Sequence, residues 1–413
     1  KTTGFTAVSG VGYFVNTTSG AISVNLPAGT AGDVVAIKDY ANTFDTNNVT
    51  LVVNGSDKIG GSNVNGTLST EGLAVTLVFV DATKGWLVTD NGTQDTAPTA
   101  QYVTATGGTI KTSGNFKTHI FTGPATFCVS CAGNAQGSNT AEYFVLAGGG
   151  SGGAYNSTNE GLGGGGAGGF RLSAAACVPA PTMSPLAKSC GALPVTAQGY
   201  PITVGGGGAR TDVCTTNPAP GNPGSNSIFS TITSAGGGGG APSPDNNGFT
   251  GGSGGGGNRG NSTTGVGGAG NTPPVSPPQG QTGGGGTPLP AQGPPAPVPT
   301  RNGGGGGGAG AVGAEAVTAN AGTGGAGSFV ADAFIGGCAP SFGTPGPVSS
   351  TRYFAGGGGG SGGSGGQPGG GAGAGNGRQG TNGDSASANS GSGGGGGNNT
   401  LTPGGAGLGG SGI

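Results

Sequence analysis

The sequence predicts all-β N-terminal modules followed by a polyglycine II helical bundle with long loops, and essentially no α-helix. Three observations carry this. Residues 1–92 alternate short β-branched and aromatic runs with turn residues, 107 of the 413 residues are Gly, and no stretch shows a helical period.

In the first module the runs are Gly12-Tyr-Phe-Val15, Ala21 to Leu26, Asp33 to Ile37, Val49 to Val53, Leu73 to Val80 and Gly85-Trp-Leu-Val88. Their spacing of roughly 8–12 residues, with Gly, Asn and Asp between them, is that of a small sandwich or barrel. Residues 93–98 then read as a linker, because the segment from Asn91-Gly92 to Pro98 favours turns and has no apolar period. Residues 99–146 give a second β module, with Gln101 to Thr104, Lys117 to Phe121, Ala125 to Cys128 and Glu142 to Leu146 as strands. The last strand runs directly into Ala147-Gly-Gly-Gly150, the start of a glycine-rich region over 147–413.

Gly and Pro together make about a third of the chain, a level at which aperiodic sequences default to disorder. Collagen is excluded, because runs such as Gly303 through Gly308 break the every-third-residue rule. Consecutive glycines can instead adopt the left-handed three-fold extended helix, which has no internal hydrogen bonds and points every N–H and C=O sideways. Ordering such helices costs about 1–2 kcal/mol of backbone entropy per residue. The compensation is a lateral N–H···O bond of about 1 kcal/mol per residue plus weak Cα–H···O contacts, so the packing must be extensive. Only Gly permits the approach on all three faces, which predicts side chains confined to helix ends and outer layers. The short apolar segments Ile202 to Val204, Ile228 to Ile232 and Ser328 to Val330 are expected to supply strands around the bundle. Long turn-rich segments at 176–193, 241–250, 271–299 and 339–354 become loops.

Charged residues are 7% of the chain and the net charge is -2, so neither a polyanion nor a polycation is indicated and no nucleic-acid partner is expected. No run approaches the ~20 apolar residues of a membrane helix. Lys1-Thr-Thr-Gly-Phe5 shows neither an initiator Met nor a signal-peptide core, and the sequence is expected to begin inside a longer or processed chain.

The block order Glu142-Tyr-Phe-Val-Leu-Ala-Gly-Gly-Gly150, Gly163 to Phe170, Tyr200 to Gly208 and Thr231 to Gly240 resembles the glycine-rich domains at the distal ends of bacteriophage tail fibres. The segments Ala7 to Pro27, Val35 to Asn42 and Lys84 to Val88 are similar to a module of marine phage fibre proteins. In the T-even-type distal adhesins, a polyglycine II sandwich holds loops that touch an outer-membrane receptor. The resemblance therefore implies a tail-fibre subunit in the virion, a homotrimer joined to other fibre or tail proteins, and a bacterial surface receptor that is an outer-membrane protein or a glycan. This chain departs from those adhesins in its upstream β modules and in its Pro-rich loops, Thr272 to Pro278 and Gly293 to Pro299. The alternative is a self-assembling extracellular filament or matrix protein without specific receptor binding.

No catalytic, cofactor-binding or metal-binding set is expected, and the chain is read as a non-enzyme. The one His, His119, sits on a predicted strand and is read as structural. Cys128-Val-Ser-Cys131 has redox spacing without a helix to lower the thiol pKa, and reads as a loop clip or two free thiols. Cys177 and Cys190 bracket a Pro-rich loop that a disulfide would restrain, leaving Cys214 and Cys338 to pair by elimination. Gly-x-Gly-x-x-Gly patterns occur by chance and carry no weight without a flanking strand and helix. Sparse carboxylates (Glu160, Asp212, Asp245, Glu315, Asp332, Asp384) suggest no paired acid site, and isolated Arg residues are read as bonding lattice carbonyls or receptor groups. Candidate receptor-binding loop residues are Tyr155, Phe249, Pro273, Pro278, Pro295, Phe342 and Tyr353; the competing reading packs Phe342, Tyr353 and Phe354 at a bundle end.

Overall fold

A computed structural model describes residues 1–93, 100–134, 137–156, 160–173, 183–210, 219–243, 247–259, 264–287, 301–363, 365–398 and 405–413. The chain forms two compact units, Lys1–Ala100 and Gln101–Ile413.

The first unit is built from β1 (Phe5–Thr6), β2 (Val11–Val15), β3 (Ile22–Asn25), β4 (Val34–Asp39), β5 (Val49–Val52), β6 (Gly66–Leu68), β7 (Leu73–Asp81) and β8 (Gly85–Thr93). They make two four-stranded sheets, β1-β3-β5-β6 and β2-β4-β7-β8, and the chain alternates between the sheets for its first five strands. The pairs β1/β3, β3/β5 and β2/β4 are parallel, which follows from that alternation, and the rest are antiparallel. Period-two burial turns Ile22 and Val24 of β3, Val49 and Leu51 of β5, and Val75, Leu77 and Phe79 of β7 into one core around Phe44 and Trp86. It is a sandwich. The buried Asp39 carboxylate accepts the N–H groups of Ala41, Phe44 and Gly72, at 3.3, 3.0 and 3.1 Å, which anchors the loop after β4. Gly85, at φ 69°, makes the turn into β8 so close to Lys58 that a Cβ would lie 2.0 Å from its carbonyl oxygen.

In the second unit, an antiparallel five-stranded sheet runs Ile232–Ser234, Ser227–Phe229, Gly199–Thr203, Ala125–Cys131 and Thr104–Thr106. Two three-stranded sheets adjoin the bundle: Phe144–Leu146, Phe170–Ser173 and Ala187–Lys188, then Ser328–Ala331, Thr351–Phe354 and Thr344–Pro345. The expected apolar connectors are thus strands. Among the described residues the helical content is one four-residue α-helix, Asp332–Ile335, and a 3-10 turn, Gly336–Ser341. One apolar cluster joins Leu146, Phe170, Leu172, Ala309, Val330 and Phe354, and a second joins Phe127, Val129, Tyr143, Val145, Tyr200 and Phe229.

Beyond Leu146 the hydrogen bonding changes character. The N–H groups of Ala147, Gly150 and Gly153 reach Gly169, Gly166 and Gly163, while those of Gly148, Ser151 and Ala154 reach Ser225, Asn222 and Ala219. The remaining face, Gly149 and Gly152, donates to Gly410 and Gly407. Successive amides therefore address three different neighbours and the pattern repeats every third residue. That is the three-fold extended helix, and no glycine from 148 to 170 has a positive φ, which fixes the left hand.

Residues 161–170 form the centre. They donate to 235–241 (from Gly163, Gly166 and Gly169), to 304–307 (from Gly164 and Ala167) and to 391–394 (from Gly165 and Gly168). They accept from 147–153, 253–256 and 358–361. The six neighbours bond to one another in sequence around the centre: Gly237 to Gly148, Gly238 to Ser253, Gly304 to Gly257, Gly306 to Gly358, Gly393 to Gly356 and Gly394 to Gly150, all at 2.8–3.0 Å. The result is a closed hexagon about one helix, about 28 Å tall at ~3.1 Å per residue.

The expectation that side chains stay outside this lattice needs one correction. Ala167, Ser151, Ser253 and Ser392 are fully buried inside it. A methyl or hydroxymethyl group is small enough to sit where the three-fold screw leaves a gap, and Ala167 keeps both of its lateral bonds, to Gly307 and from Ser253.

Candidate functional site

The antiparallel register of 147–153 against 163–169 gives the bundle two ends. One carries the strands and their apolar clusters, at Leu146, Phe170, Ala309 and Phe354. The opposite, far end carries Ala154, Leu162, Asn258, Arg259, Arg301, Asn302, Ser361 and Asn398.

Of the described candidate loop residues, Pro273, Pro278, Phe342 and Tyr353 lie at the strand-bearing end, and Tyr155 and Phe249 lie apart from them. Tyr155 lies half-buried at the far end, in a short parallel pairing of Ala154–Tyr155 with Gly397–Asn398. Phe249 is 45% exposed on the flank, where its backbone donates to Gly239 and accepts from Gly255. Pro273 and Pro278 are exposed on the strand-bearing side, on a loop anchored where Asn271 donates to Gly252. That loop is internally braced: Asn271 Oδ1 accepts the N–H groups of Val275 and Gln279, and Gln279 Nε2 donates to the Pro273 carbonyl at 2.8 Å. Gln279 Oε1 takes the Ala235 N–H and ties the loop to the lattice. Pro295, Cys177, Cys214, Asp212, Asp245 and the 94–98 part of the linker lie outside the described residues.

Phe342 is half-buried and packs on the Phe354 cluster, and the Tyr353 ring lies against Phe329, tilted by 42° with centroids 5.4 Å apart. Phe354 itself is fully buried, 5.1 Å from the Phe144 ring. At the same end a cavity of about 960 Å³ opens between the strands, lined by Phe121, Phe127, Phe144, Phe342 and Phe354. His119 borders it, its Nδ1 2.8 Å from the Gly107 carbonyl and its ring edge-on to Phe127. Among the described residues Cys128, Cys131 and Cys190 are free thiols, and Cys177, the partner expected for Cys190, lies outside them.

Sequence reasoning missed the polar clamp of the far end. Glu160 bonds the Arg301 guanidinium through one carboxylate oxygen and accepts from Ser243 Oγ at 2.6 Å through the other. Asn302 caps the adjacent turns, donating through Nδ2 to the Val317 and Thr318 carbonyls and through its N–H to Thr287 Oγ1. Asn398 Oδ1 accepts the Gly380 N–H. The available signal was positional: each lone charged or amide residue stands within a few residues of the end of a glycine run.

Arg378 and Asp384 form an exposed pair at 2.6 Å, joined by Asn376 Nδ2 at 2.9 Å. The Arg378 hydrogen bond holds the Asp384 carboxyl below its ordinary 3.8, against the opposing effect of partial burial. A carboxylate whose folded pKa is depressed stabilises the fold above the unfolded value and loses that contribution as pH falls through the folded one. Because both side chains are more than a third exposed, Asp384→Asn should cost less than about 1 kcal/mol at neutral pH. Thermal unfolding should show the gap to the parent closing in high salt and as pH falls below 3.8.

A family model described as a glycine-rich domain matches residues 126–413. Over 62 residues the chain is 44% identical to the baseplate wedge protein gp10 of Enterobacteria phage T4, a match covering 14% of this chain and 10% of that relative. The chain thus spans about a tenth of the length of the curated relative it matches.

Proposed function

The chain belongs to the glycine-rich domain family through residues 126–413, and from that premise we propose that it is a non-enzymatic structural and adhesive subunit of a phage tail fibre. In this reading it presents loops from a rigid polyglycine II scaffold to a receptor on the host cell surface. The observation that carries the proposal is the hexagonal lattice, whose glycines have little room for side chains and whose loops are bonded back to it, as Gln279 is to Ala235. Loops on a rigid frame bind with little ordering cost, which suits recognition better than a floppy linker would. The partial similarity to a phage baseplate protein supports a place among tail proteins, and the β unit of residues 1–93 would join the subunit to them as part of a homotrimer.

The test is competition for adsorption. Purified protein added to host cells should block phage attachment, and replacing residues 271–278 by a Gly/Ser loop of equal length should abolish the block while leaving the thermal unfolding of the bundle in place. Protein that coats no cells and instead polymerises into filaments, visible by electron microscopy, would support a matrix protein and contradict the adhesive role. Sedimentation of the same material checks the trimer.

A further inference from the structure

Arg259 is the anomaly of the far end. It is 5% exposed, and its Nε is buried with no hydrogen-bond partner. Arg210 is exposed to water, and the remaining described arginines have acceptors: Arg171 donates to the Thr233 carbonyl, Arg352 to Phe342 and Gly343 carbonyls, Arg378 to Asp384 and Arg301 to Glu160. A charged group's N–H removed from water without an acceptor is unfavourable unless something else supplies one.

The lattice register explains why this arginine has like-charged company. Ser253 and Gly256 donate to Ala167 and Gly164, so the next three-residue step brings Arg259 level with Gly161, beside Glu160. On the neighbouring run Gly307 and Gly304 donate to Gly254 and Gly257, and the same step brings Arg301 to that level. Among the described residues, three adjoining helices thus end in one carboxylate and two guanidiniums. Glu160 is committed to Arg301 and Ser243, and among the described residues no carboxylate pairs with Arg259. Burial and the repulsion of Arg301 both disfavour the charged form of Arg259.

We infer that Arg259 and Arg301 form a binding site for an oxyanion: a carboxylate, sulfate or phosphate group, free in solution or carried on an acidic polysaccharide. The planar guanidinium takes such a group edge-on through two parallel N–H bonds, supplying the acceptor that Nε lacks and compensating the excess positive charge beside Glu160. A lysine there would present a point charge and could not replace it. The site is independent of the adhesive role, since anion binding by purified protein neither requires nor tests adsorption.

The test titrates the full chain with sodium phosphate and sodium sulfate, against chloride at matched ionic strength, and separately with polygalacturonate. The parent should show a saturable rise in Tm of the glycine-rich unit. Response to the inorganic ions assigns a free-anion site, and response to polygalacturonate assigns an acidic-polymer site. Arg259→Met should abolish the saturable rise while unfolding, without anion, at or above the parent's Tm, because an uncompensated buried charge has been removed. Arg259→Lys, which keeps the charge and loses the fork, should bind about tenfold or more weakly by isothermal titration. A parent with no saturable response to any of the three, or either variant responding as the parent does, would overturn the assignment.

Discussion

Gly165→Ala should unfold the glycine-rich unit, whereas Gly206→Ala should leave it at least as stable as before. Gly165 lies in the central helix, donates to Gly394 and accepts from Gly358. A Cβ there would sit 2.2 Å from the Gly150 carbonyl oxygen and 2.7 Å from its carbon. The obstacle is backbone, and Gly150 is itself bonded to Gly166 and accepts from Gly394, so it cannot retreat without opening the hexagon. A loss of at least about 3 kcal/mol is expected, at the upper end of overpacking costs. Gly206 shares the same backbone class without a positive φ, but a Cβ on it meets nothing within 4 Å. Alanine at that position restricts the unfolded chain and should add about 0.4–1 kcal/mol. Calorimetry of the two variants checks both signs.

The contrast also separates what could be read from sequence from what could not. The substitution of glycine for side-chain packing was legible, because a run such as Gly303 through Gly308 excludes collagen and leaves only laterally bonded helices if it is ordered. Which runs become neighbours was not. The central run, 161–170, has no composition that distinguishes it from 236–241 or 356–360; its place follows from chain connectivity over more than two hundred residues. In the first unit, Leu73 to Val80 and Asp33 to Ile37 were recognisable from β-branched enrichment, and they are strands β7 and β4. β1 and β6, at two and three residues, are too short to show alternation. The segment 339–354, read as loop, contains a 3-10 turn and the strand Thr351–Phe354, whose four residues carry no period of their own and are strand by pairing with Ser328–Ala331. The far-end site was hidden for a related reason. Glu160 and Arg301 are 141 positions apart, and nothing local marks them as partners.

The second large effect is expected in the β unit. Trp86 is fully buried, edge-on to Phe79 at 5.5 Å, and is the largest enclosed side chain of the chain. Trp86→Ala should destabilise residues 1–93 by about 3–5 kcal/mol, from lost transfer energy and the cavity left between the sheets. Its indole Nε1 is buried without an acceptor, so part of the tryptophan's burial is offset by a desolvated N–H. Trp86→Phe removes that donor along with some volume and should cost markedly less than the alanine variant. Amide hydrogen exchange in β4 and β7 reads both, and an alanine variant within about 1 kcal/mol of the parent would mean the core is looser than described.

The most direct measurement for the bundle is of scalar couplings across hydrogen bonds in the labelled protein. Gly163, Gly164 and Gly165 donate to Ala241, Gly304 and Gly394, three acceptors on three separate runs. Three consecutive amides coupled to those three carbonyls is the expected result. Successive amides coupled to one neighbouring segment, as in a sheet, or glycine amides that exchange with solvent uncoupled, would contradict the hexagonal polyglycine II lattice.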